Sequence, residues 1–410
     1  MNIMIFAIPV FFILIGVELL IERKHRAKWY RLNDAMSNIS CGISQQVSGV
    51  FMKSIGLLAY VLLYENFRFF DIPNTWWSYL LLFVGIDCLY YFFHRYCHEI
   101  NIFWGTHVVH HQSEDYNLSV ALRQSAFQSL ISSVFYLPLA VLGFDPIPFL
   151  LLNTLQTLYQ FWIHTEAIRK MPSWFEFVFN TPSHHRVHHG RNPEYIDKNH
   201  GGTLILFDRI FGTFQEEKAP VVYGVTKPLS TWNPIWANFD YYKTLWQEFS
   251  LVKGFANKFR LLIEKPGWRP ASIGGPLFPP AVDRQKQKKY QTQISPALGS
   301  YSFLQYIILL GATTIFLASA GKTDSLISAP YLVGLILILW TVAALGILAD
   351  RRKIALSLEI GRLLAIPFYL YLLPMWGVQF AYSTALIVGG SSLSILSIGF
   401  LLSLKKEINR

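Results

Sequence analysis

The feature that most limits what this chain can fold into is a series of long apolar runs. A helix needs roughly 20 apolar residues to cross the hydrocarbon core of a bilayer. Charged residues make up 15% of the chain, against about 25% in a typical soluble domain. The sequence therefore predicts an all-α, polytopic integral membrane protein. The runs cover residues 3–21, 43–64, 76–97, 119–143, 146–166, 302–320, 329–348, 359–376 and 378–404.

Two further predictions concern particular apolar runs. The first run lacks the small-residue cleavage site of a signal peptide, so we predict an anchor that is retained. The runs 119–143 and 146–166 are joined by the Asp145-Pro146 turn and form either a hairpin or two full spans. A long polar stretch follows them, and four apolar runs close the chain.

Lysine and arginine placement predicts an orientation. Basic clusters favour the cytoplasmic side, and they occur at 22–28, at 350–353 and at Lys405-Lys406. One topology puts all three inside, with the N-terminus and the 65–75 loop outside. We therefore predict a multi-pass protein, in the endoplasmic reticulum membrane of a eukaryote or the inner membrane of a bacterium.

The formal net charge of +10 raises the alternative of a nucleic-acid partner. The basic residues lie in short loops between apolar runs, which is typical of cytoplasmic loops, so we predict no nucleic acid. The cysteines show no framework spacing and are predicted to be packed thiols on the reducing side of the membrane. They are Cys41, Cys88 and Cys97.

The histidines are predicted to carry the chemistry. Ten of the twelve lie between His94 and His189. Spacings of three and four residues put side chains on one face of a helix, and three groups have such spacings, while a single histidine closes the fifth run. The predicted topology sends all nine to the cytoplasmic side. They are His94 and His98; His107, His110 and His111; His185, His188 and His189; and the single His164.

Nine imidazoles in this arrangement indicate a metal centre. Burying so many rings without partners would cost several kcal/mol. A structural zinc needs four ligands and usually includes cysteines, so the nine predict two metals with positions left open for O2. Imidazole suits iron, zinc, copper and nickel alike, so two-zinc and two-copper sites stay open on the residues alone.

These residues resemble the fatty acid hydroxylase and sterol desaturase superfamily of membrane diiron oxygenases. The resemblance spans roughly residues 1–230 and implies two non-haem irons, held by the nine histidines, that react with O2. It is carried by the three histidine groups and by 98–101, 113–119, 121–125, 161–166, 180–192, 196–199 and 208–214.

The most similar branch of the superfamily implies a reaction. It hydroxylates the carbon next to the ether oxygen of an alkylglycerol, and the hemiacetal formed collapses to a fatty aldehyde and a glycerol. Its implied reductant is tetrahydrobiopterin or another tetrahydropterin, and its partners are the lipid substrate and membrane lipids. The substrate chain is predicted to lie in an apolar tunnel lined by 76–97 and 119–166.

Two alternatives remain at this stage. One is a sterol or other lipid hydroxylase or desaturase of the same superfamily. The other is a histidine-rich membrane metal carrier, which would hold its ligands near the bilayer midplane. The nine histidines lie instead at span ends or in polar segments, which disfavours the carrier.

The sequence also predicts roles for several polar residues outside the nine histidines. Glu99 and Asp115 are the catalytic candidates, because charged residues near membrane depth are functional candidates by default. His184 is predicted to form hydrogen bonds beside the third group. His25 and His200 are predicted to be interfacial side chains, although the resembling branch leads us to expect an aromatic residue at position 200.

The predicted domain division has four parts. Residues 1–75 form N-terminal anchor spans, and 76–230 form the diiron catalytic domain, a cytoplasmic histidine-rich cap on the helical bundle. Residues 231–300 form a cytoplasmic amphipathic and proline-rich linker, of which 265–296 is predicted to lie extended on the membrane surface. Residues 301–410 form a four-span region with no predicted chemical role.

Overall fold

The structure is a computed structural model. It describes residues 3–321, 326–378 and 383–408, with side chains from residue 7 onward. Within these ranges the chain is helical, and its β pairings are two isolated bridges, Phe179 to Leu204 and Gly190 to Tyr223. The predicted all-α class is confirmed.

The helices fall into three sets along the chain. The N-terminal set contains α1 (Ile3–His25), α2 (Leu32–Phe67), α3 (Trp76–Glu99), α4 (Asn101–His111), α5 (Gln128–Leu142) and α6 (Pro146–Trp162). The central set contains short helices, α7 (Ser173–Val178), α8 (Pro182–His188), α9 (Leu206–Ile210), α10 (Pro234–Ala237), α11 (Asp240–Leu251) and α12 (Phe255–Ile263). The C-terminal set contains α13 (Pro296–Ala320), α14 (Ala329–Ala349), α15 (Ala355–Met375), α16 (Ser383–Ser403) and α17 (Lys405–Ile408).

Six helices in the described part of the chain are long and apolar enough to cross a membrane: α2, α3, α13, α14, α15 and α16. The protein is therefore a multi-pass membrane protein, as predicted. The predicted first anchor lies within α1, whose last turn is basic. The last predicted run begins before α16, and its residues 379–382 lie outside the described residues.

The pair α5 and α6 forms a hairpin. The helices have 15 and 17 residues, about 22 and 26 Å at 1.5 Å per residue, which is less than the hydrocarbon thickness of about 30 Å. Their turn lies against the connection from α2 to α3, where the Phe69 N–H donates to the Val141 carbonyl at 2.8 Å. Gly143 has φ +103, and a Cβ there would collide with the Phe70 carbonyl. The structure therefore favours the hairpin over two full spans.

Helices α2, α3, α5 and α6 pack as a bundle below the histidines. Tyr60 of α2 stacks on Phe149 of α6 at 4.3 Å between ring centroids, and Ile86 and Tyr136 belong to the same buried cluster. Gly56 allows the close approach of α2 to α5, because a Cβ there would collide with Ser133. The bundle thus holds the ends of α3 and α6 side by side.

The C-terminal helices pack on the other side of α2. Ile43 and Val47 of α2 form one buried cluster with Tyr306 of α13 and Val342 of α14. The linker before α13 is extended, but it folds back over the polar part of the chain. Its Arg284 pairs with Glu166 at 2.7 Å. Its predicted place on the membrane surface stays a prediction.

Candidate metal centre

The C-terminal ends of four helices, α3, α4, α6 and α8, bring the nine predicted histidines together. All nine are buried, with relative exposures of 7% or less. They form two adjacent groups, and within each group the possible ligand nitrogens lie within 4.8 Å of one another. The first group consists of His94, His98, His107, His111 and His188, and the second of His110, His164, His185 and His189.

Helical periodicity divides two of the sequence groups between the two sites. On α4, His107 and His111 belong to the first group, and His110 between them belongs to the second. On α8, His188 belongs to the first, and the i, i+4 pair His185 and His189 belongs to the second. The sequence spacing predicted shared helical faces, but the division into five and four follows from how α3, α4, α6 and α8 meet.

Nitrogen atoms of rings from distant segments approach one another closely. The Nε2 atoms of His94 and His107 are 2.9 Å apart, and those of His110 and His164 are 3.1 Å apart. The two groups also touch, since the rings of His111 and His189 stack at 4.4 Å between centroids. The structure therefore places two groups of possible metal ligands side by side.

Backbone carbonyls orient four of the nine rings. The Nδ1 atoms of these rings lie 2.7–3.0 Å from carbonyl oxygens. Such a contact assigns the proton to Nδ1 and leaves Nε2 as the lone-pair donor for a metal. The pairs are His94 with His200, His110 with Arg123, His164 with Gln160, and His188 with Lys198.

Burial keeps the rings outside the spanning helices neutral. It lowers the pKa of His110 to about 4 and the pKa values of His107, His185 and His189 well below 6.5. Neutral imidazole is the form that binds a metal. In addition, the Nε2 atoms of His98 and His188 are buried without a hydrogen-bond partner. This all-nitrogen donor set fits an iron, zinc or copper pair.

The two catalytic candidates lie in ion pairs. Glu99 ends α3, is partly exposed, and contacts Arg95 at 3.2 Å and Lys265 at 3.4 Å. Asp115 is buried and contacts Arg31 at 2.8 Å and Lys289 at 2.6 Å. None of these contacts is to one of the nine rings, so a catalytic role for either carboxylate stays a prediction.

The prediction for His200 is wrong. Its side chain is not interfacial but fully buried, and its ring lies beside His94, His98 and His188. No sequence pattern indicates this position, because no other histidine lies within a helical turn of position 200. His184 is also buried; its ring packs on Phe214 and forms a hydrogen bond with the backbone of Phe179, while its Nδ1 has no partner.

Carboxylates anchor the segment that carries His200. Asp208 accepts hydrogen bonds from the His200 N–H at 2.7 Å and the Gly201 N–H at 2.6 Å. Asp87 of α3 accepts from the Thr203 N–H at 2.7 Å. These bonds hold a loop from the polar stretch against α3. The sequence analysis did not single out Asp87, although a carboxylate inside an apolar run is a recognisable signal.

A cavity of about 360 Å³ opens at the histidine centre. His107, His110 and His164 line one end, and aromatic side chains that include Tyr60 and Phe149 line the other. The predicted tunnel helices α3, α5 and α6 contribute to its wall. Helices α1, α2 and α13 also contribute, which the sequence analysis did not predict.

Comparison with known proteins finds one matching family and several relatives that carry the same name. The family described as Fatty acid hydroxylase matches residues 79–213. Proteins named alkylglycerol monooxygenase from Danio rerio and Homo sapiens are each 40% identical, covering 88% and 87% of this chain and 80% of their own length. One from Xenopus tropicalis is 38% identical over 87% of this chain and 80% of its own. No solved structure gives a significant match.

Proposed function

The chain belongs to the alkylglycerol monooxygenase family, and from this premise we propose that it cleaves the ether bond of alkylglycerols. As an oxygenase of that family it acts on a lipid. The proposed reaction inserts one oxygen atom from O2 at the carbon next to the ether oxygen. The resulting hemiacetal breaks its carbon–oxygen bond to give a fatty aldehyde and a glycerol. Two electrons and two protons reduce the other oxygen atom to water.

The single observation that carries this proposal is that histidines of the paired centre line a long apolar cavity. His110 and His164 belong to the second histidine group and also line the cavity. A substrate held there presents its reacting carbon next to that group. We assign the nine histidines as ligands of two irons, five to one and four to the other.

Iron bound at these rings would supply the O2 chemistry, and the protein residues supply the geometry. The carbonyl oxygens of Arg123 and Gln160 fix the rings of His110 and His164. Burial of both rings excludes bulk water, which protects a reactive site from side reactions. The chain therefore contributes orientation and exclusion of solvent.

The cavity also supports a long-chain substrate. Along α6 its wall extends from Phe161 to Phe149, about 18 Å at 1.5 Å per residue. An alkyl chain lying there would leave its ether end at the histidines. The amides of Gln124 and Gln128 line the same cavity and offer partners for the glycerol hydroxyls.

The remaining assignments extend the proposal. We propose tetrahydrobiopterin or another tetrahydropterin as the reductant, because the chain is 40% identical to the named alkylglycerol monooxygenases over most of its length. We propose that the histidine centre faces the cytoplasm, and that residues 76–230 are the catalytic unit between the anchor spans and the linker. Glu99 and Asp115 remain candidates for catalytic groups.

Product analysis tests the reaction. Purified protein loaded with iron and given a tetrahydropterin and a radiolabelled alkylglycerol should release a labelled fatty aldehyde. The variant His110→Ala should stay inserted in the membrane and release none. Full activity with NADH and no pterin would contradict the proposed reductant.

Metal analysis tests the centre separately. Protein from iron-replete cells should hold two irons per chain. A preparation with one tightly bound zinc and no iron would contradict the diiron assignment.

A further inference from the structure

His200 lies as close to the first histidine group as the members of that group lie to one another. Its ring centroid is 5.1 Å from that of His98 and 5.7 Å from those of His94 and His188. Among the ring pairs that are in contact inside the group, separations range from 4.3 Å between His94 and His188 to 6.3 Å between His107 and His188. Distance between rings therefore does not separate His200 from the group.

The ring nitrogens of His200 have no hydrogen-bond partner of standard geometry, although the ring interacts with the backbone of Asp197. The side chain is 0% exposed. An unpaired buried polar group is unfavourable, and native structures pair nearly all such groups. Among the neighbouring side chains, Tyr91 presents its ring to the His200 ring at 6.2 Å between centroids. The surroundings are thus aromatic rings and the convergent histidines.

The backbone of His200 is fixed against the same group. Its N–H donates to Asp208, and its carbonyl oxygen accepts from Nδ1 of His94 at 2.8 Å. The preceding Asn199 has φ +56, and its side-chain amide donates to the carbonyls of His184 and Gln215. A residue held at both its N–H and its carbonyl keeps its side chain beside the centre.

We propose that His200 is a tenth imidazole ligand and binds the same metal as His94, His98 and His188. The proposal rests on the metal centre proposed above. His200 is not among the five histidines whose nitrogens lie within 4.8 Å of one another. Ligation therefore requires its side chain to turn toward them when the metal binds.

A tenth ligand would increase the difference between the two metal sites, which already have five and four histidines. The first would then have six nitrogen donors, and the second would have four. Two members of the second group, His110 and His164, line the cavity, compared with one member of the first group, His107. The four-histidine site would then leave more positions for other ligands such as O2 than the six-histidine site.

The variant His200→Phe tests this, because phenylalanine keeps a ring in the packed position and removes both nitrogens. The matched control is His184→Phe, a buried histidine whose ring packs on Phe214 instead. Full-length proteins are stripped with a chelator, titrated with Fe²⁺ and measured for iron per chain and for Mössbauer spectra of ⁵⁷Fe.

We expect His200→Phe to lose one iron per chain, or to change one of two iron signals, with the control equal to wild type. Unchanged iron content and spectra in His200→Phe would overturn the proposal, since a ring that only fills space tolerates this change. If the variant does not fold, an experimental structure of the iron-loaded wild type decides. A nitrogen of His200 at about 2.1 Å from the metal supports ligation, and one beyond about 3 Å overturns it.

Wild-type protein that binds no iron pair would contradict the proposed function itself, before any variant is compared. The two failures are therefore distinguishable.

Discussion

Arg123 shows how one residue both joins helices and orients a ring of the centre. Its guanidinium is buried and donates to the Val109 carbonyl at 2.6 Å and to Ser37 and Asn38 of α2 at 3.0 and 3.1 Å. Its own carbonyl oxygen lies 2.9 Å from Nδ1 of His110. These contacts assign Arg123 a positioning role.

Replacing Arg123 with methionine should destabilise the protein. The change leaves several buried acceptors without a donor, and each such loss is worth about 1–3 kcal/mol. We expect a lower melting temperature and weaker iron retention in detergent. The control is Arg95→Met, since Arg95 makes a partly exposed ion pair with Glu99, worth about 0–1 kcal/mol. Equal melting temperatures for the two variants would contradict the positioning role.

The buried histidines predict how metal-free protein responds to pH. Burial lowers the pKa of His110 to about 4 and that of His185 well below 6.5. In the unfolded chain the pKa of histidine is about 6.5. The unfolded state therefore binds more protons below about pH 6.5, and the free energy of unfolding falls as pH falls through that window.

We expect the melting temperature of chelator-stripped protein to drop between about pH 7 and pH 5. Iron-loaded protein should keep its melting temperature further into that range, because the metal competes with protons for the same nitrogens. Thermal melts at a series of pH values measure both forms. An identical pH response with and without iron would count against metal binding at these rings.

At the scale of helices, the close contact between α2 and the turn at Val120–Leu122 connects helix packing to the site. A Cβ on Gly42 of α2 would collide with the carbonyl of Leu122, one residue before Arg123. The glycine thus lets α2 approach the segment that orients His110. Helix packing and ring orientation are coupled at this point.

The variant Gly42→Val should push that segment away from α2. A displacement of about 1 Å at a catalytic site can lower the rate by about 100-fold, so we expect a large loss of turnover with the chain still inserted. Gly16→Val on α1 is the control, because a Cβ there meets nothing within 4 Å. Wild-type turnover in Gly42→Val would show that the contact does not position the ring.

For the whole molecule, membrane topology and site assembly constrain each other. His94 at the end of α3 and His188 on α8 must share one side, because a metal cannot bridge about 30 Å of hydrocarbon. The loop between α2 and α3 lies at the opposite end of α3. The basic loops predict which of these sides is cytoplasmic.

Cysteine labelling tests that orientation. Asp71 lies exposed in the loop between α2 and α3, and Lys286 lies exposed in the linker near the histidine centre. In cells carrying Asp71→Cys or Lys286→Cys, with Cys88 replaced by serine, an impermeant maleimide should label position 71 and not position 286. Labelling at 286 alone would invert the topology, and labelling at both would contradict the shared site.

Much of this architecture follows from local sequence patterns. Apolar length predicts the spans, and the three-and-four spacing predicts that His107 and His111 share a helical face. Both signals depend on residues within a few helical turns of one another, so they can be read without knowing how helices pack.

What the sequence by itself determined is thus a membrane helical bundle with nine clustered histidines. Tertiary structure alone decided the division into five and four, the place of His200 against His94 (106 residues away), and the pairing of Asp115 with Lys289 (174 residues away). The physical reason is that hydropathy and helical period are local properties. Ring orientation, burial of an isolated histidine and closure by a distant linker depend on contacts between segments that only the folded chain brings together.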